Sequence, residues 1–78
     1  MVDLKETLHN IAASIVDSPD EVVVVCNETE NCINLTLSVA ADDMGMVIGK
    51  GGRIAKAIRT VIKAAAAGSE KKVNVDIR

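Results

Sequence analysis

Three observations predict an α+β domain of order helix, strand, strand, helix, helix, strand. Leu4, Leu8, Ile11 and Ile15 recur at helical spacing. Ile33-Leu35-Leu37-Val39 and Val73-Val75-Ile77 alternate as half-buried strands do. Between these strands, Gly49-Lys50-Gly51-Gly52 divides a helical stretch into a short first part and a longer second one.

Residues 3–16 read as an amphipathic helix that Asp17-Ser18-Pro19-Asp20 ends, because proline cannot continue it. Val22–Cys26 is a β-branched run, expected as a strand buried on both faces. The polar turn 27–31 joins it to the Ile33–Val39 strand as a hairpin, across which Cys26 and Cys32 are placed to face each other. Asp42 and Asp43 are expected to cap and charge the start of a helix that runs through Ile48. After the glycine turn a helix continues to about Ala67, where Gly68 suits a C-terminal cap. Its apolar stripe is Ile54, Ile58, Val61, Ile62 and Ala65, while Arg53, Lys56, Arg59 and Lys63 share another side of the same helix.

With 78 residues the chain is expected to form one domain, 1–78, with a thin core. No Phe, Tyr or Trp is present, so aliphatic side chains and methionine must fill that core. The start of the chain, Met1–Glu6, lacks the basic and apolar runs of a secretory signal. No apolar run approaches the ~18 residues of a membrane span, so a cytoplasmic location is expected. The triplets at Asn27 and Asn34 then match the glycosylation pattern by chance. Two cysteines and His9 are too few for a zinc site, and free thiols are expected. Neither a metal nor a cofactor is implied.

Net charge is −2, which by itself argues against nucleic acid. Position changes that reading. Residues 44–69 carry Lys50, Arg53, Lys56, Arg59 and Lys63 and no acid, whereas residues 1–43 carry nine acids against Lys5. Screening cuts fields off beyond ~8 Å, so a bound strand senses the local patch rather than the total.

The loop itself has a specific chemistry. A helix that begins at a glycine turn offers backbone N–H groups with no partner inside the helix, and the helix dipole adds positive potential there. Phosphate oxygens fit such a site, and glycines let a sugar-phosphate chain approach closely. Two nucleotide-binding patterns fail. Gly45 to Gly49 leaves three residues where a Walker A loop needs four, and Gly51 stands where Ser or Thr would hold magnesium. The dinucleotide fingerprint requires a preceding strand, and here a helix precedes. A plain interhelical turn is the remaining structural reading, but one glycine would serve for that.

Val47-Ile48-Gly49-Lys50-Gly51-Gly52-Arg53-Ile54 resembles the GXXG signature of KH domains. The element order is similar to that of type II KH domains, in which the helices pack on one face of a three-stranded sheet. In length and in the run from Gly49 to Arg59 the chain is most similar to the small stand-alone KhpA family of bacteria. That resemblance implies binding of single-stranded RNA as a chaperone or post-transcriptional regulator. It also implies self-association, and pairing with a larger KhpB (Jag/EloR)-like KH protein. Carried over by position, Gly49, Lys50, Gly51 and Gly52 would hold the RNA backbone with Arg53 behind them. Ile48 and Ile54 would floor an apolar groove, or alternatively belong to the core, which spacing favours for Ile58 and Val61. Lys56, Arg59 and Lys63 would meet RNA or form a solvated helix face, and Val47 and Met44 are expected in the core. One departure stands out: the aliphatic residue common three places after the last loop glycine is Ala55 here, with Ile54 one step earlier.

Enzymatic chemistry finds no candidates. His9 is the only histidine, which leaves Ser69 without a partner for a triad. Adjacent Asp42 and Asp43 cannot flank a reacting bond as an acid-base pair. A protein-interaction module acting mainly by homo- or heterodimerisation is the competing function.

Overall fold

The computed structural model describes residues 3–78. Met1 and Val2, part of the stretch tested above for a secretory signal, lie outside the described residues. Helix α1 spans Leu4–Ile15 and opens on Asp3, whose Oδ1 accepts from the Glu6 N–H at 3.1 Å. That bond satisfies one of the donors a helix start leaves unpaired. Pro19–Glu21 forms a 3₁₀ turn, after which β1 (Val23–Glu28) and β2 (Cys32–Ser38) make the expected hairpin. Thr29 closes it, its N–H donating to the Cys32 carbonyl at 2.7 Å. A second 3₁₀ turn, Ala41–Asp43, leads into α2 (Met44–Ile48). The glycine turn follows, then α3 (Arg53–Ala65) and β3 (Lys72–Ile77).

The sheet order is β1-β2-β3, with β1 antiparallel and β3 parallel to the central β2. Register puts Val24 beside Leu37, and Leu35 beside Val75, so the apolar residues line one face. The helices cover that face. Leu8 and Ala12 of α1, Val47 of α2, and Ile58 and Ile62 of α3 join Val24, Leu35, Leu37, Val73 and Val75 in one buried cluster. The α+β order and the arrangement of three helices on a three-stranded mixed sheet are those expected of a type II KH fold.

Several local expectations are overturned. Val22–Cys26 is not buried on both faces: β1 is an edge strand, and Val23 and Val25 are 53% and 57% exposed on the face without helices. Cys26 and Cys32 do not face each other, because Cys26 pairs with Leu35 and the register sets the two thiols on opposite faces. Asp43 stands at the N-cap position of α2, but its side chain makes no capping bond. It is 2% exposed, and its Oδ2 accepts the Ser18 N–H at 3.0 Å, tying the turn after α1 to the start of α2. On α3 the buried residues are Ala55, Ile58 and Ile62, while Val61 is 49% exposed. The helix is rotated so that the small Ala55 meets the core, and Val61 and Ile54 flank it. It also ends at Ala65 rather than Ala67, and Gly68, at φ 96°, turns the chain toward β3.

Candidate nucleic-acid interface

The loop is built from three glycines with positive φ: Gly49 at 75°, Gly51 at 67° and Gly52 at 77°. Gly49 closes α2 by donating its N–H to the Gly45 carbonyl at 2.9 Å. Gly52 donates to the Gly49 carbonyl at 3.1 Å, and Arg53 donates to Lys50. Among the described residues, the N–H groups of Lys50 and Gly51 have no backbone acceptor. Both residues are exposed, and a Cβ on Gly51 or Gly52 would meet nothing within 4 Å. The turn therefore projects into solvent at the positive end of α3.

Arg53, Lys56, Arg59 and Lys63 are all exposed along α3. Arg59 is also held in place: its Nε donates to the Val75 carbonyl at 3.1 Å. Lys72 and Arg78 donate to carbonyls at Asn31 and Leu37, so in the parallel ladder Val75 turns its carbonyl away from β2. Arg59 thus lies along the outer edge of β3. Beyond it, a cleft of about 300 Å³ between α3 and β3 is lined by Lys63, Lys71 and Lys72 and by no acid. Lys71 is ion-paired with Glu28. Sequence reading missed Lys71 and Lys72 because Glu70 separates them from the acid-free stretch; only the fold places them at the end of the α3 stripe.

Ile48 is half-buried at the end of α2, and Ile54 is 37% exposed and packs on Gly49. Neither belongs to the buried core, whereas Val47 does. The structure brings Ile48, Ile54 and the loop together, and sets Lys56, Arg59 and Lys63 progressively farther along α3. No group of three His, Cys, Asp or Glu that could hold a metal occurs among the described residues. Nor is any described helix long and apolar enough to cross a membrane.

The family model described as "KhpA/KhpB, KH domain" matches residues 5–77. A protein of Clostridium acetobutylicum named "RNA-binding protein KhpA" is 60% identical over 95% of this chain and 99% of its own. Proteins of the same name from Clostridium perfringens and Bacillus subtilis are 57% and 47% identical over 95% of this chain, and over 99% and 91% of theirs. No solved structure gives a match. With motif, element order and near full-length similarity in agreement, the chain belongs to the KhpA/KhpB family of KH domains and is not an enzyme.

Proposed function

We propose that this protein binds single-stranded RNA, with the Gly49–Gly52 turn against the sugar-phosphate backbone and the bases directed toward Ile48 and Ile54. The observation that carries this reading is that the N–H groups of Lys50 and Gly51, without a backbone acceptor among the described residues, stand at the start of the helix that carries the exposed cations. The turn supplies close approach and dipole field, and Arg53, Lys56, Arg59 and Lys63 supply charge beyond it. About four nucleotides fit such a module. The relatives' name, RNA-binding protein KhpA, agrees. RNA is then held by phosphate contacts and aliphatic packing, because the chain has no aromatic ring for bases to stack on.

One such groove reads too little sequence for selective binding. Two copies, or one copy with a KhpB (Jag/EloR)-like KH protein, raise apparent affinity by roughly 10²–10⁴ when both engage one strand. Both loops then stay accessible, and the role is that of an RNA chaperone or post-transcriptional regulator in the cytoplasm. Replacing Lys50→Asp together with Gly51→Asp tests the loop. Asp tolerates the left-handed conformation of position 51, and a Cβ there meets nothing, so the fold persists. Affinity for a labelled single-stranded RNA should fall by at least about tenfold with unchanged far-UV circular dichroism. Unchanged affinity overturns the assignment.

A further inference from the structure

The basic stripe of α3 leads into a hollow at the opposite end of the helix from the glycine loop. The cleft of about 300 Å³ where α3 gives way to β3 includes Lys63, Gly68, Ser69, Lys71 and Lys72 in its lining. Three kinds of donor meet there. Lys63 and Lys72 have no ion-pair partner among the described residues, whereas Lys71 is held by Glu28. The N–H of Gly68, at φ 96°, has no acceptor among the described residues. The Ser69 hydroxyl oxygen accepts the Lys71 N–H at 3.2 Å, which leaves its own hydrogen to be donated. Glu70 is exposed and does not line the cleft. Ammonium, amide and hydroxyl donors around one hollow are the groups that bind phosphate oxygens. One cation in the last turn of α3 offsets the negative end of that helix, and Lys63 supplies it. Lys71 and Lys72 lie beyond the helix and are left without that role.

We propose that this cleft is a second phosphate subsite, which takes the backbone of the same RNA strand after it leaves the glycine loop. This rests on the RNA reading above and lengthens its footprint. Arg53 and Lys63 stand about 15 Å apart along α3, at about 1.5 Å per residue. Arg59 lies between them, bound at Val75, and Val75 is about 10 Å along β3 from Lys72. Cations therefore step from loop to cleft, and no acid on α3 interrupts them. About four nucleotides fill the loop end. Crossing to the cleft takes the site to about seven, within the range of single-strand modules. Only a longer strand reaches the cleft, so it adds affinity with RNA length and not with base identity. Each phosphate gained steepens the salt dependence by about 0.7.

Amide NMR of the nitrogen-15-labelled full chain tests this, with pools of randomised RNA tetramers and octamers that lack terminal phosphates. The tetramers should shift the Gly49–Arg53 amides alone, and the octamers should shift those of Gly68–Lys72 as well. Ser69→Ala with Lys72→Gln should lower octamer affinity about three- to tenfold and leave tetramer affinity as it is. Asn10→Glu makes the same change of net charge on α1 and should alter neither. Octamers that shift the loop but not residues 68–72 overturn the cleft and leave the RNA reading standing; a strand that bridges two copies through their loops gives that pattern. Octamers that shift neither segment overturn the RNA reading with it. If inorganic pyrophosphate shifts residues 68–72 where octamers do not, the cleft takes a small free phosphate compound and the strand path is overturned. An equal loss for tetramers and octamers in the double variant overturns the subsite, because charge felt at a distance would explain it.

Discussion

The Ile54 side chain fills the space that a Cβ on Gly49 would need: its Cγ1 lies 2.7 Å and its Cβ 2.9 Å from that position. The obstruction includes the branched root of the side chain, which cannot swing aside as a flexible tip could. Gly49 also holds φ 75° and ψ 171°, a region essentially reserved for glycine. Two separate constraints thus fix the same residue, and the exit of α2 is locked to the first turn of α3.

Gly49→Ala should accordingly destabilise the domain by about 2–4 kcal/mol, combining backbone strain with the clash. Gly51→Ala, in the left-handed region but in open space, should cost only about 1–2 kcal/mol. Adding Ile54→Ala to Gly49→Ala should recover part of the loss, because the strain remains. Urea melts followed by circular dichroism separate the three.

RNA affinity should fall with salt at a slope of about −2 to −3 in log affinity against log concentration, as three or four phosphate contacts imply. Lys63→Ala should weaken binding equally for all sequences and flatten the slope by up to about 1. A salt-independent affinity would mean that phosphate contacts do not carry the binding.

Arg59 links the basic stripe to the sheet, so its replacements should divide charge from geometry. Arg59→Ala should lower RNA affinity and cost about 0.5–1.5 kcal/mol through the lost bond to Val75. Arg59→Lys should keep most of the affinity but not the stability. Equal RNA affinities for the two variants would remove Arg59 from the interface.

Asp43→Ala should cost about 1–3 kcal/mol, because the Ser18 N–H loses its acceptor in a part-buried site. Asp42→Ala, at an exposed position, should stay within about 0.5 kcal/mol of wild type. Comparable losses at both positions would mean that the bond to Ser18 is not what Asp43 supplies.

Periodicity made the elements legible. Leu4, Leu8, Ile33, Leu35, Leu37, Val73 and Val75 stand where alternation or helical spacing put them, and Gly49–Gly52 divides the helices as expected. What was hidden depended on register or on distant partners. The run Val23-Val24-Val25 has no polar alternation to mark which side is covered, and only the strand order reveals an edge. Asp43 resembles a cap because its real partner lies 25 residues away. Val61 outranks Ala55 in hydrophobicity, yet close packing of α3 admits the smaller side chain and turns the larger outward. In the candidate site, the acid-free stretch disclosed Arg53 to Lys63. The cleft with Lys71 and Lys72 exists only once β3 returns beside α3.

That return has a consequence for biogenesis. β3 is the last of the six elements to be synthesised, yet it pairs with the central strand and buries Val73 and Val75 against the same core as Leu8. Until residues 72–77 are available, β2 has only the hairpin as a neighbour, and a lone hairpin is marginal in water. The glycine loop is therefore made before the scaffold that orients it is complete. A chain halted before Lys72 carries the whole GXXG sequence but lacks the strand that completes the sheet beneath it, so the loop and its scaffold are acquired separately.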